Sequence, residues 1–362
     1  MHRHTVSPEQ IDEAMNLIIL PFLIGLVTYI AIALLSWIAR AVSLMDEPGD
    51  RKHHEEAVPV VGGLAIYLVL SGALMTIDLP DELFWLSLSA GILVVVGALD
   101  DAFGLNVPVR FSAQIIATFV MFAGSSVWIR SLGFDLLYLE PHTWMGIFIT
   151  VIAVVGLTNG FNMIDGIDGL ASGLALVTLA SVWLTIEFTG QILREVDWML
   201  VLMSSVFMFW VVNLSLTKLE RVFLGDSGSL LLGFLMSFVL VYYTQEPIAL
   251  LHPVVALWCV TIPVFDTLVV IARRMKNKRS PFSSDRSHFH HLLLDMGIKP
   301  RTTLWMILGL SVVLNAFGIW ITYVISPFAA LIAFAILLTG FGYGTLHPSN
   351  VRLIALKLRL IK

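Results

Sequence analysis

The sequence predicts an all-α, polytopic membrane protein, and three observations carry that expectation. Of its 362 residues 58% are hydrophobic and 13% charged, too few charges to coat a water-soluble domain of this length. Apolar runs suited to crossing a hydrocarbon core of about 30 Å, as helices of about 20 residues, recur along the chain. The runs are continuous rather than alternating, which selects helices over the strands of a barrel.

Taken in order, the spans are expected at residues 15–41, 60–77, 83–99, 109–127, 143–160, 169–188, 198–215, 228–244, 251–272, 302–324 and 327–346, giving eleven transmembrane helices. The first follows a polar segment containing Glu9, Asp12 and Glu13 and is too long for a secretory leader, so no cleaved signal peptide is expected. Arg40, Arg51, Lys52, Arg110, Lys218, Arg221, the cluster from Arg273 to Arg286 and the tail after residue 346 share one set of alternate loops. The opposite set holds only Arg3, Arg130 and Arg194. By the positive-inside rule the first set is cytoplasmic, which puts the N-terminus outside and the C-terminus inside, as an odd number of spans requires. Trp85, Trp128, Trp144 and Trp198 lie near outer span ends and read as interfacial anchors. The single cysteine, Cys259, forms no intrachain disulfide and reads as a buried, inert thiol. Residues 1–362 read as one integral membrane domain, with the chemically capable motifs on cytoplasmic loops within 46–291.

Those motifs follow one another along one membrane face. The first loop carries Arg51, Lys52 and His53, then Pro59 and the pair Gly62 and Gly63 opening the second span. Glycines at a helix start admit a ligand or a neighbouring helix, and free amides there favour an anion. The basic residues suit a phosphate, or serve only as positive-inside charge beside headgroups. The third span ends in Asp100 and Asp101, which as helical neighbours point about 100° apart, so the two face different groups. Carboxylates at a helix C-terminus oppose the macrodipole, which calls for a compensating cation.

The stretch from Asn159 to Leu170 holds Asn162, Asp165 and Asp168 among apolar residues. Each Asp at a span centre costs roughly 2.5–3.5 kcal/mol, so the pair belongs at a wet edge or against a cation. Asp165 and Asp168 share a face if they open the sixth helix, and Asn162 extends that line. Helix capping accounts for one Asp but not for two Asp with two Asn. Next, Gly225-Asp226-Ser227-Gly228-Ser229 at a helix start suits phosphate through its amides and metal through Asp226, with capping as the plain alternative. The longest cytoplasmic loop carries Arg286, His288, His290 and His291. These suit a diphosphate clamp, and zinc is disfavoured because no cysteine accompanies them and the carboxylates nearby prefer a hard ion.

Asp100-Asp101, Asn162-x-x-Asp165-Gly-Ile-Asp168-Gly, Phe223-Leu-Gly-Asp226-Ser-Gly-Ser and His288-x-His290-His291 stand in the order found in the polyprenyl-phosphate N-acetylhexosamine-1-phosphate transferases. The chain resembles that family over about residues 40–300, and the first loop and the segment before the histidines look most like its bacterial undecaprenyl-phosphate N-acetylglucosamine branch. The resemblance implies transfer of N-acetylglucosamine 1-phosphate from UDP-N-acetylglucosamine to undecaprenyl phosphate with release of UMP, at the cytoplasmic face of a bacterial inner membrane. It implies Mg²⁺, with Mn²⁺ as a substitute, held by Asp226 and Asn162. Asp100 or Asp101 then orients or deprotonates the lipid phosphate, a covalent role for one of them being chemically allowed. Asp165 and Asp168 meet nucleotide or metal-bound water, Arg286, His288, His290 and His291 the donor, and Lys52 the acceptor phosphate. O antigen, enterobacterial common antigen or a similar surface polysaccharide is the implied product line. Membrane lipids are the expected partners, with a homodimer allowed and no nucleic acid. The alternatives are another UDP-N-acetylhexosamine or UDP-muramoyl-pentapeptide as donor and, from another class, an ion-coupled transporter, which the absence of an internal repeat disfavours.

Overall fold

The computed structural model describes residues 8–47, 57–76, 81–134, 143–190, 197–280 and 288–346, with side chains from residue 19. Lys52 and Arg286 lie outside the described residues. The helices are α1 (Pro8–Val42), α2 (Gly62–Leu74), α3 (Asp81–Phe103), α4 (Val107–Ser125), α5 (Thr143–Ile164), α6 (Leu170–Phe188) and α7 (Asp197–Asn213). They continue with α8 (Gly225–Thr244), α9 (Pro253–Cys259), α10 (Thr261–Lys276), α11 (Phe289–Asp295), α12 (Pro300–Trp320) and α13 (Pro327–Leu346). A π-helical turn, Ile321–Ile325, prolongs α12.

Among the described residues eight helices are long and apolar enough to cross a membrane. Each expected run coincides with helical structure, but three are not simple spans. The ninth is a broken pair, α9 and α10, bent by 78°, and α2 and α7 are apolar but shorter than a full span, at 13 and 17 residues. The carbonyl of Cys259 freed at the break accepts hydrogen bonds from Thr178 Oγ1 (2.8 Å) and Asn315 Nδ2 (3.3 Å), the re-satisfaction that non-helical backbone needs away from water. Large apolar side chains such as Phe22, Trp37, Phe148 and Ile336 face outward, as lipid-facing helices require. Trp198 departs from the expectation of an interfacial anchor: it is buried and stacked on Tyr243.

At the centre stands α8, every residue of which from Ser227 to Thr244 is buried. Helices in lipid gain little from mutual hydrophobic burial, so close backbone approach at small residues becomes the means of association. A Cβ on Gly63 of α2 would lie 2.2 Å from Gly228 N, and one on Gly97 of α3 2.3 Å from Ser227 Cα. A short hairpin, β1 (Met45–Asp46) with β2 (Val58–Pro59), leads into α2 and straps the segment that enters α8. Phe223 N donates to Pro59 O, Gly62 N to Phe223 O and Gly63 N to Leu224 O, at 2.9–3.1 Å. The two glycine amides are thus consumed by neighbouring chain, so the possibility of an anion site there gives way to helix packing. Between α4 and α5 a reciprocal amide pair, Asn159 Nδ2 to Gln114 Oε1 at 2.6 Å, holds Asn159 as interhelical glue.

Gly63→Val should lower stability in detergent by about 1–3 kcal/mol or more, because the backbone of α8 has no room to yield. Gly72→Val on the same helix, where nothing lies within 4 Å, provides the control, and equal melting curves for the two would contradict this packing.

Candidate active site

The C-terminal ends of α3 and α5, the N-terminal ends of α4 and α8, and the turn before α6 meet at one place. Asp101 accepts from Asp226 N (2.7 Å) and Ser227 N (3.2 Å), so a carboxylate from α3 satisfies the otherwise unpaired amides that open α8. Gly225 makes the approach possible. Its φ is +73°, and a Cβ there would stand 2.3 Å from Val60 Cγ1 and 2.6 Å from Asp101 Oδ2.

Asp226, fixed by that cap, receives Asn162 Nδ2 on Oδ1 at 2.6 Å, and the same amide also donates to Ser229 Oγ at 2.9 Å. Asp100 is buried, accepting from Leu105 N (2.6 Å) and from Arg110 Nη1 (2.9 Å), and its carboxyl also meets that of Asp226. Arg110 Nη1 is also 3.9 Å from Asp226 Oδ2, so one guanidinium bridges carboxylates of α3 and α8. It is the compensating cation that the end of α3 calls for. Sequence reading counted Arg110 only as positive-inside charge, although it is the first cation after the Asp pair. Asn106 places it by capping α4 through Val109 N at 3.1 Å, with Pro108 in the first turn.

Asp165 and Asp168 do not share a helical face. Helix α5 ends at Ile164 and α6 begins at Leu170, and the residues between form a turn in which Gly169 takes φ +78°. Asp168 pairs with Arg221 Nη1 at 2.9 Å near the surface. Burial pushes the Asp165 carboxyl up to about 8, and the carboxylates of Asp226, Asp168 and Asp101 push the same way. Asn159, facing Gln114, is not part of the site.

The histidines come to the same turn. His290 is fully buried, and its Nε2 lies 2.1 Å from where a Cβ on Gly166 would stand. Its ring stacks near His288 at 6.1 Å and lies 4.1 Å from His291. Burial first, then the neighbouring His291 and His288, hold the His290 imidazole down at about 3, so anything it offers a ligand it offers as a neutral ring. Asp266, a carboxylate in α10 that sequence reading passed over, binds His288 Nδ1 at 2.7 Å.

Among the described residues no three His, Cys, Asp or Glu side chains converge as a ready-made metal cage. A Mg²⁺ ion makes a smaller demand, one or two carboxylates completed by water and phosphate. Asp226 with Asn162 fits that demand: both carry hard oxygen donors, and they are in contact beside a local excess of carboxylates. An apolar groove of about 490 Å³ runs along α5, α8, α9 and α10, lined by Ile152, Leu240, Leu257, Val264, Thr267 and Leu268, and on α8 it lies toward the end away from Asp226.

Residues 83–244 match the family described as glycosyl transferase family 4. The chain is 33% identical over 315 residues to the undecaprenyl-phosphate alpha-N-acetylglucosaminyl 1-phosphate transferase of Escherichia coli (strain K12), covering 84% of each chain. It is 34% identical over 331 residues to the protein of that name from Salmonella typhi, 88% of each chain, and 34% identical over 288 residues to that from Yersinia pestis, 78% of each.

A pH dependence follows from Asp165 in the metal-free protein. Its folded-state value, about 8, stands above the ordinary 3.8, so the folded state holds the proton more tightly and loses stability as pH rises between those values. Asp165→Asn should therefore stabilise the protein in EDTA, by an amount that grows from about pH 4 to about pH 8 and is flat above. Melting curves of both proteins across that range check it, and a pH-independent difference would contradict the burial of this carboxyl.

Proposed function

The chain belongs to the polyprenyl-phosphate N-acetylhexosamine-1-phosphate transferases of glycosyl transferase family 4, and from that premise we propose that it transfers N-acetylglucosamine 1-phosphate from UDP-N-acetylglucosamine to undecaprenyl phosphate, releasing UMP. The observation that carries this reading is the meeting of Asp100, Asp101, Asn162, Asp165 and Asp226 at the ends of apolar helices. Such a site lets a long isoprenoid tail stay among apolar side chains while its phosphate meets a water-borne nucleotide.

In the reaction a phosphate oxygen of the acceptor attacks the sugar-bearing phosphorus, and the phosphoanhydride bond to UMP breaks as a new one forms. Little covalent work is left to the protein, so alignment of anions and neutralisation of charge dominate. Mg²⁺, or Mn²⁺ in its place, held by Asp226 and Asn162, supplies Lewis-acid neutralisation of the donor's phosphates. Asp101 keeps Asp226 in place through the α8 amides. Asp100 with Arg110 faces the acceptor phosphate: the guanidinium suits an oxyanion, and the carboxylate orients it or takes the remaining proton when one is present. Asp165 and Asp168 serve the nucleotide side, with the histidines on the donor phosphates. Lys52 and Arg286 complete the acceptor and donor sides.

The same reading puts the N-terminus outside, the C-terminus and the site in the cytoplasm, and eleven crossings through a bacterial inner membrane, supported by the Lys and Arg asymmetry between alternate loops. The product then enters synthesis of a surface polysaccharide such as O antigen or enterobacterial common antigen.

Purified protein with undecaprenyl phosphate, Mg²⁺ and a panel of UDP-sugars should release UMP fastest from UDP-N-acetylglucosamine; preference for UDP-muramoyl-pentapeptide would overturn the donor assignment. Asp226→Ala should cut turnover by about a hundredfold or more while the protein stays folded, consistent with loss of several kcal/mol of charge stabilisation.

A further inference from the structure

Asp266 is a carboxylate in the apolar half-span α10, 3% exposed, and both of its oxygens are engaged across chain elements. Oδ2 meets His288 Nδ1 at 2.7 Å, and Oδ1 accepts from Phe289 N, the first amide of α11, at 2.8 Å. A charge so placed is costly, and a helix cap needs only one oxygen. The second oxygen binds the side chain of the first residue in the histidine cluster, whose next member packs on the Asp165 turn. An ionised carboxylate has only lone pairs to offer, so the proton of this contact resides on His288 Nδ1 and the chemistry left to the imidazole is at Nε2.

We propose that Asp266 is a positioning residue of the transfer reaction, locking ring orientation and Nδ1–H tautomer of His288 so that Nε2 serves the donor phosphates. The proposal rests on the transferase reading of the site and adds a residue to it. Its physical logic is that of a carboxylate holding a working imidazole, where removal leaves the ring present but wrongly protonated or turned. Asp266 also shares α10 with Val264, Thr267 and Leu268, which line the groove, so the element that fixes His288 is one wall of that groove.

The test pairs a tautomer measurement with a double-mutant cycle on full-length protein in detergent. In Asp266→Asn the carboxamide can still accept from Phe289 N, but its NH₂ then faces His288 Nδ1 and favours the Nε2–H tautomer. Histidine ¹⁵N spectra of the unmutated protein, assigned by loss of the His288 signal in His288→Ala, should show the Nδ1–H form, and Asp266→Asn should lose it. Turnover of Asp266→Asn should fall about ten- to a hundredfold with KM for undecaprenyl phosphate changed less than about threefold. In a His288→Ala background the same substitution should cost almost nothing more, because its effect runs through that ring. An unchanged tautomer, or losses that add across the cycle, would overturn the proposal and leave Asp266 a helix cap alone. Absence of UMP release from the unmutated protein would instead sink the transferase reading, and the spectra would still decide whether Asp266 sets the His288 tautomer.

Discussion

The contact between the Asp101 carboxylate and the first amides of α8 is the constraint on which the rest of the site depends. Helix α8 is buried along its length, and its opening amides would otherwise stand unpaired at the edge of an apolar core. A carboxylate from α3 answers them at 2.7 and 3.2 Å, and that bond fixes the register between the two helices. The glycine contacts on α2 and α3 bring backbones near enough for it to form. Asp226 sits in the same turn, so the geometry of its carboxyl, and with it Asn162, is inherited from the cap.

Clustering carboxylates in a poorly solvated place costs free energy, and the structure offsets only part of it. Arg110 serves Asp100 directly and Asp226 at longer range, and Arg221 serves Asp168 nearer the surface. Among the described residues no cation is paired with Asp165, and burial followed by the neighbouring carboxylates pushes its carboxyl up to about 8. The residual negative potential is a property of the folded protein, since the five carboxyls come from three separate stretches of chain. A divalent cation would relieve that potential, which is the electrostatic support for the metal proposed above.

On the other flank, the broken span changes what a membrane helix can do. The span is bent by 78° between α9 and α10, both of which line the groove, and Thr178 and Asn315 stabilise the carbonyl exposed at the break. The second half-span carries apolar side chains toward the groove and Asp266 toward the histidines.

Much of this was legible in the chain. Continuous apolar runs gave the helices, because length and hydropathy are local properties, and isolated carboxylates in those runs marked Asp100, Asp101, Asp165, Asp168 and Asp226, because charge in lipid demands a reason. What stayed hidden was pairing. Asp101 as cap and Asp100 as partner of Arg110 look alike in sequence, and so do Asn159 as glue and Asn162 as partner of Asp226. Asp266 carried the same mark as the others, yet its partner lies 22 residues away across a loop. The sequence by itself determined which segments form apolar helices and which residues are too costly among them to be idle. The tertiary structure decided what each of them faces, because hydrogen bonds and ion pairs act over about 3 Å between elements whose approach is set by packing rather than by order along the chain.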